Sequence, residues 1–327
     1  MTKPRIAFLG TGWIGRHRME AILATGLVEA VAVADPSAEM AAEARALAPD
    51  AVVLGGLDDI LALRPDGVVI ATPSALHAEQ SIAALNAGAA VFCQKPLGRS
   101  ADEARAVVAA ARAADRLLSV DFSYRFTSGM TRIAELLGGG ALGHVHAVDL
   151  VFHNAYGPDK PWFYDRAQSG GGCVMDLGVH LVDLALWCLG FPDVENVTSH
   201  LFADGEPLGG DAVEDFALAT ITLAGGTAVR LACSWRAQAG RDADISATFY
   251  GREGGAGFRN VGGSFYDFAA ERYRGTSSEP LASSSEEWGG RAASDWARRL
   301  AAGERFDPRS AELVAVSGVI DRIYGSR

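Results

Sequence analysis

The chain has 327 residues, enough for one large domain or two ordinary ones. With 49% hydrophobic and 21% charged residues it can bury a substantial core, which excludes a disordered chain. A net charge of −11 without any run of Lys or Arg argues against a nucleic-acid partner.

In chain order, the first third alternates apolar strands with Ala-rich amphipathic helices. RIAFLG, VEAVAVAD, DGVVIATPS, AAVFCQ and RLLSVDF read as strands. GWIGRHRMEAILAT, SAEMAAEARALA, ALHAEQSIAALNAG and SADEARAVVAAARAAD read as the helices between them. Continuous apolar strands separated by such helices predict a doubly wound parallel sheet covered on both faces. This domain is assigned to 1–121.

The pattern changes near residue 122. A helix over 127–137 ends in glycines 138–140, and HVHAVDLVFHN then alternates as a strand. After a glycine-led helix at 170–183, VENVTSHLFA, DFALATITLA, TAVRLACSWRA and ADISATFYG read as long strands of an open, mostly antiparallel sheet. RGTSSEPLASSS at 274–285 reads as a polar loop, and 284–303 and 308–324 as helices. Residues 122–327 therefore form an open α+β domain, whose C-terminal helices can pack back on either domain. Its open sheet leads us to expect a homodimer or homotetramer.

Cys93, Cys173, Cys188 and Cys233 form no CxxC pair and sit in apolar contexts, so buried free thiols in a reducing compartment are expected. The opening MTKPRIAFLGTG has no long apolar core of the signal-peptide kind, and no stretch reads as about 20 apolar residues in a row. A cytoplasmic protein with no membrane partner is the expectation.

Three places carry chemistry. Gly10-Thr11-Gly12-Trp13-Ile14-Gly15 follows a strand and opens a helix. In that context the glycines permit the turn, the approach of a pyrophosphate and close helix–strand packing, although a ligand-free tight turn has the same outline. Asp35 ends the next strand, about 20 residues on, where a carboxylate accepts from ribose hydroxyls and repels a 2′-phosphate. No Arg or Lys follows it until Arg45, so NAD is expected rather than NADP. Lys95 follows an apolar strand, so it either snorkels to solvent or meets a nicotinamide, a substrate hydroxyl or an acid. In GGGCVMDLGVHLVD, helical spacing puts Asp176, His180 and Asp183 on one face. That is either a proton-transfer group or a satisfied polar cluster at a helix start.

Together, GTGWIG, ATPSALHAE, the QKP of 94–96, YRF at 124–126, ALGHV at 141–145, GGGCVMDLGVHLVD and the C-terminal helical pair resemble the glucose–fructose oxidoreductase / inositol dehydrogenase / rhizopine catabolism family over nearly the whole chain. The resemblance implies an NAD-dependent dehydrogenase acting on a sugar, inositol or related polyol. Carried over, Lys95 hydrogen-bonds the reacting hydroxyl, Asp176 and His180 form the proton-transfer pair, and Asp183 is structural. Gly10, Gly12, Trp13, Ile14, Gly15, Asp35, Thr72, Pro73, Gln94 and Lys95 fall on the cofactor side, with His77 there or at a helix start. Tyr124, Arg125, His153, Asn154, Trp162, Asp165, Arg166 and His180 form the candidate substrate set. Glycines 170–172 are expected to leave room for nicotinamide and substrate. The family's usual glutamate is replaced by Gln94, which cannot offset Lys95 electrostatically. A metal held by Asp176, His180 and Asp183 is not expected, because a Lys and a His already serve the reaction. The rival readings are a non-catalytic NAD-linked sensor of the same fold and an NADP-dependent keto-sugar reductase.

Overall fold

The computed structural model describes residues 2–282 and 286–325. Contacts divide the chain into two units, one of residues 1–123 and 289–314, the other of 124–288 and 315–327.

The first unit alternates β1 (Arg5–Leu9), α1 (Trp13–Ala24), β2 (Glu29–Ala34), α2 (Ala38–Leu47), β3 (Val52–Leu54), α3 (Leu57–Ala62), β4 (Gly67–Ile70), α4 (Ser74–Asn86), β5 (Ala90–Cys93), α5 (Ala101–Ala114) and β6 (Leu118–Val120). All pairings are parallel, in the order β3-β2-β1-β4-β5-β6. The order reverses between β1 and β4, which is where doubly wound sheets bind ligands at their strand carboxyl ends. The central strands are apolar throughout because helices cover both faces. β3 and α3 are additions to the sequence reading. β3 has only three residues, and Val52 and Val53 on this edge strand are each 46% exposed, so no buried run announces it. A helix over Arg291–Ala301 also belongs to this unit, where its fully buried Trp296 ring lies 5.9 Å from that of Phe92.

Among the described residues, the second unit is built on nine strands. It runs through α6 (Ser128–Gly138), β7 (Val145–Asn154), α7 (Arg166–Ser169), a π turn (Val174–Gly178), α8 (Val179–Cys188), β8 (Val194–Ala203), β9 (Glu206–Pro207), β10 (Phe216–Leu223), β11 (Ala228–Ser234), β12 (Ala243–Gly251), β13 (Gly255–Asn260), β14 (Phe268–Arg274) and β15 (Ser277–Ala282). The sheet order is β15-β14-β13-β12-β7-β11-β10-β8-β9, antiparallel except for the parallel β7–β11 pair. α8 packs on β7 and β11, and α6 on β13 and β14. One face is thereby buried, and residues alternate along β10 and β12 accordingly. On the other face Leu218 and Tyr250 are exposed and Arg230 pairs with Asp149 at 2.9 Å.

Over 274–282, where a polar loop was expected to run to 285, the chain forms a hairpin. Arg274 ends β14, and Ser277–Ala282 pairs with it as an edge strand, a position that tolerates Pro280 and exposed polar side chains. Residues 283–285 lie outside the described residues, and with them the start of the helix expected over 284–303, which begins at Arg291. The four cysteines are free thiols and buried. The stretch Arg166–Cys188 is as long and apolar as a membrane span, with mean hydropathy 1.3, but 83% of its most apolar window is buried inside the protein.

Candidate active site

In the first unit, the glycine turn is shaped by close approach. Gly10 has φ +81°, and a Cβ there would lie 2.5 Å from the Ala71 carbonyl oxygen. A Cβ at Gly15 would lie 2.1 Å from the Gly10 carbonyl oxygen, which is why α1 can start so near β1. Gly12 caps α1 without a side-chain bond, and the first turn has no acidic residue, so its N–H groups suit an anion. Trp13 and Ile14 are exposed beside it. Asp35 accepts from Thr11 N at 2.6 Å and from Ser37 N at 2.9 Å, leaving further lone pairs for ribose hydroxyls. Ser37, not Asp35, caps α2. These residues fit a dinucleotide. The sequence reading missed Arg16, which precedes Asp35 in the chain. Its guanidinium donates to the Thr11 carbonyl at 3.1 Å and pairs with Glu43 at 2.7 Å.

Thr72 and Pro73 join β4 to α4, where Thr72 Oγ1 donates to Gln80 at 2.6 Å. His77 stands in the first turn of α4 and is 1% exposed, in keeping with a helix-start residue. Its Nδ1 lies 2.6 Å from the Pro96 carbonyl oxygen and its Nε2 lies 2.7 Å from that of Thr72. Two carbonyl partners favour the protonated ring, but burial outweighs them and holds the pKa below the ordinary histidine value. His77 thus ties the loop after β4 to the Lys95–Pro96 loop after β5.

Lys95 is half-buried just past β5. Gln94 donates from Nε2 to Asp121 Oδ2 at 2.5 Å. Asp121 is itself buried and accepts from Arg18 Nε at 2.6 Å and from Ser123 Oγ at 2.6 Å. An amide therefore suits position 94, because a glutamate there would set two carboxylates against each other.

In the second unit, Asp176 lies within the π turn and His180 in α8, so their spacing spans a junction rather than one regular helical face. Such one-turn π segments are frequent at functional sites. Both side chains are half-buried. Trp235 Nε1 donates to Asp176 Oδ2 at 3.1 Å. The His180 ring meets Tyr124 edge-on at 5.0 Å. Asp183 is not their equal. It is 1% exposed and receives a two-pronged bond from Arg125, Nε at 2.9 Å and Nη2 at 2.5 Å. Arg125 also lies over the rings of Trp187 and Phe191. It is thus a structural partner of Asp183.

Tyr124 is buried among Phe152, His180, Phe268 and Trp288, and burial pushes its hydroxyl pKa up, so it packs behind His180. His153 lies 2.8 Å from Ser234 Oγ through Nδ1 and stacks on Phe216, and burial lowers its pKa. Asn154 is turned to its own loop, accepting from Tyr156 N at 2.9 Å. Asp165 caps α7, accepting from Ala167 N at 2.9 Å, and Arg166 begins that helix exposed. Trp162 stacks on Phe163 at 3.8 Å, and Phe163 and Tyr164 both meet the Trp235 ring edge-on. Trp235 therefore joins the 161–164 segment to Asp176. The only trace of this in the sequence is a tryptophan at the end of an alternating strand.

Glycines 170–172 do not serve the role expected of them. Gly170 ends α7 with φ +86°. A Cβ at Gly171 would lie 2.0 Å from the Tyr324 hydroxyl, and one at Gly172 would lie 1.8 Å from the Glu214 carbonyl oxygen. The space they leave is filled by protein. Among the described residues no group of three or more His, Cys, Asp or Glu is arranged to hold a metal.

Residues 4–122 match the oxidoreductase family with NAD-binding Rossmann fold, and residues 130–256 match the GFO/IDH/MocA C-terminal domain. The chain is 31% identical over 204 residues to D-glucoside 3-dehydrogenase of Escherichia coli, covering 61% of this chain and 57% of that protein. It is 32% identical over 260 residues to an oxidoreductase subunit assigned to UDP-kanosamine synthesis in Amycolatopsis mediterranei, covering 74% and 71%. The match to the first of these spans little more than half of that relative's length. Among solved structures, GenD2 from gentamicin A biosynthesis in complex with NAD superposes with a TM-score of 0.82 at 27% identity, covering 100% of this chain and 94% of that one. Levoglucosan dehydrogenase with NADH and levoglucosan shares the fold, with a TM-score of 0.85 at 23% identity and coverage of 99% and 97%. The chain belongs to the GFO/IDH/MocA oxidoreductase family, with its NAD-binding Rossmann domain and its C-terminal domain.

Proposed function

We propose that the protein is an NAD-dependent dehydrogenase acting on a CH–OH group of a sugar, inositol or related polyol. The observation that carries this reading is the division of labour on the Val174–Cys188 segment. Asp183 is consumed by Arg125, whereas Asp176 and His180 stay half-buried, with Asp176 oriented by Trp235. A half-buried imidazole four residues from an oriented carboxylate suits proton transfer.

A bound nicotinamide dinucleotide supplies the hydride acceptor or donor. The glycine turn and the open first turn of α1 hold its phosphates, and Asp35 holds its ribose. Asp35 also favours NAD, since a 2′-phosphate would meet its carboxylate, while Arg16 is already neutralised by Glu43. Lys95 donates a hydrogen bond to the reacting hydroxyl, His180 accepts its proton and Asp176 orients His180. Relatives named for glucosides, inositol and levoglucosan support the substrate class.

The test is NADH formation from a panel of sugars and inositols, with NADP run in parallel. Turnover with NAD is expected, lowered about 10²–10⁴-fold in His180→Asn and at least as much in Lys95→Met, with NAD affinity nearly unchanged. Wild-type kcat in His180→Asn, or equal turnover with NADP, would overturn the corresponding part of the reading.

A further inference from the structure

Glu214, in the loop before β10, is 1% exposed, and a carboxylate at that depth needs donors. It has them. Gly172 N lies 3.0 Å from each of its oxygens, Val174 N lies 2.9 Å from Oε1, and the Tyr324 hydroxyl donates to Oε1 at 2.7 Å. Cys173 N donates to the backbone carbonyl of the same residue at 2.9 Å. Three consecutive N–H groups at the start of the segment bearing Asp176 and His180 thus all end on residue 214. These are the donors a helix start leaves unpaired, and a negative charge is favourable there. Cys173 supplies no side-chain cap, so the cap comes from 40 residues further along the chain.

The next residue continues the linkage. The Asp215 carbonyl accepts from Trp235 N at 2.7 Å, and the Trp235 indole donates to Asp176 at 3.1 Å. The dipeptide Glu214-Asp215 therefore anchors the start of the helical segment and the tryptophan that holds Asp176. Gly171 and Gly172 are what let Tyr324 and Glu214 come this close.

We propose that Glu214, held by Tyr324, is a positioning residue that fixes Asp176 and His180 for proton transfer. Its effect on turnover rests on the dehydrogenase reading above, whereas its effect on the geometry of the segment does not. The amide of Glu214→Gln keeps the shape and can keep the bonds to Oε1, but it removes the charge and sets an N–H donor at the Oε2 position against Gly172 N, so the anchor is weakened with little change of volume.

The full-length protein with NAD is compared as wild type, Glu214→Gln and Tyr324→Phe. Backbone exchange at Gly172–Val174 should accelerate by about tenfold in Glu214→Gln, the equivalent of about one hydrogen bond. The Trp235 indole N–H resonance, assigned with Trp235→Phe, should shift. On whichever polyol gives NADH, kcat should fall about 10- to 100-fold, the scale of a small misplacement, with NAD affinity nearly unchanged. Tyr324→Phe should move every reading the same way by less, and it serves as the test if Glu214→Gln does not fold. Unchanged exchange with an unmoved Trp235 signal would overturn the proposal, as would wild-type kcat in a folded Glu214→Gln. If exchange and indole signal respond but no polyol is oxidised even by wild type, the dehydrogenase reading fails and the anchoring stands.

Discussion

The two units build their sites by opposite means. In the first, the groups suited to a dinucleotide lie within a few residues of strand ends, and the backbone places them. Gly10 and Gly15 shape a turn against β1 and β4, and Asp35 closes β2 onto Thr11 N. In the second, the polar residues of the candidate site and its supports are fixed by partners far away in the chain. Arg125 reaches Asp183 across 58 positions, Trp235 reaches Asp176 across 59 and Tyr324 reaches Glu214 across 110. A parallel sheet brings its strand ends to one edge by topology alone, so a site there needs few side-chain braces. A helix lying on a mixed sheet has no such edge and must be pinned residue by residue.

The sharpest way to break that comparison is a side-chain network of the first unit that resembles the second. Arg18, Gln94, Asp121 and Ser123 form a buried polar cluster around the strand end that carries Lys95. Asp121→Asn leaves the Arg18 guanidinium, 7% exposed, without its carboxylate. Removing one member of a buried pair costs about 3–5 kcal/mol. Gln94→Glu adds a carboxylate facing Asp121 and should cost about 1–3 kcal/mol. The double variant should lose less than the sum, with a coupling of about 1–3 kcal/mol, because the carboxylate introduced at position 94 then has an amide partner and a nearby guanidinium. Denaturant unfolding followed by hydrogen exchange on peptides of the first unit measures the cycle. Strict additivity would mean that Gln94 and Asp121 are neighbours without dependence.

A second pair of variants compares like with like. Gly15→Ala and Gly172→Ala each drive a methyl into a backbone carbonyl, of Gly10 and of Glu214 respectively. Each should destabilise its unit by about 1–3 kcal/mol, the usual cost of overpacking. They should differ in function: Gly15→Ala weakens NAD binding, whereas Gly172→Ala leaves NAD affinity intact and lowers kcat. Loss of NAD affinity in both would erase the distinction drawn here.

What could be read from the sequence follows the same division. The parallel sheet, the glycine turn and Asp35 were legible because each is a local pattern of apolar runs, turn residues and fixed offsets. β3 was not, being three half-exposed residues on an edge. The clustering of Asp176, His180 and Asp183 was visible from spacing, and Asp183, expected to be structural, is half of an ion pair whose other half, Arg125, lies 58 positions away. The glycines 170–172 were visible as a need for space; what needs the space, Glu214 and Tyr324, lies too far along the chain for any local pattern to reveal. The edge strand Ser277–Ala282 was hidden because exposed polar residues with a proline look like a loop until a neighbouring strand supplies hydrogen bonds.

The smallest expected effect is on pH. His77 in the first unit and His153 in the second both have pKa values held below the ordinary 6.5 by burial. A depressed histidine means the unfolded chain binds more protons than the folded one just below pH 6.5. Its stabilising contribution is therefore present above 6.5 and is lost as pH falls through the folded value. Each residue should give its own unit a stability that rises with pH in that window, with a slope under the ~1.4 kcal/mol per pH unit of a whole proton. His77 is fully enclosed and His153 only half so, so the first unit should have the steeper slope. Hydrogen exchange across pH 5 to 7 (roughly the histidine range), read on peptides of each unit, should show His77→Gln flattening only the first and His153→Asn only the second. If His77→Gln steepens the slope instead, the two carbonyls at Thr72 and Pro96 outweigh burial and the ring is a buried cation that braces the Lys95 loop with its charge.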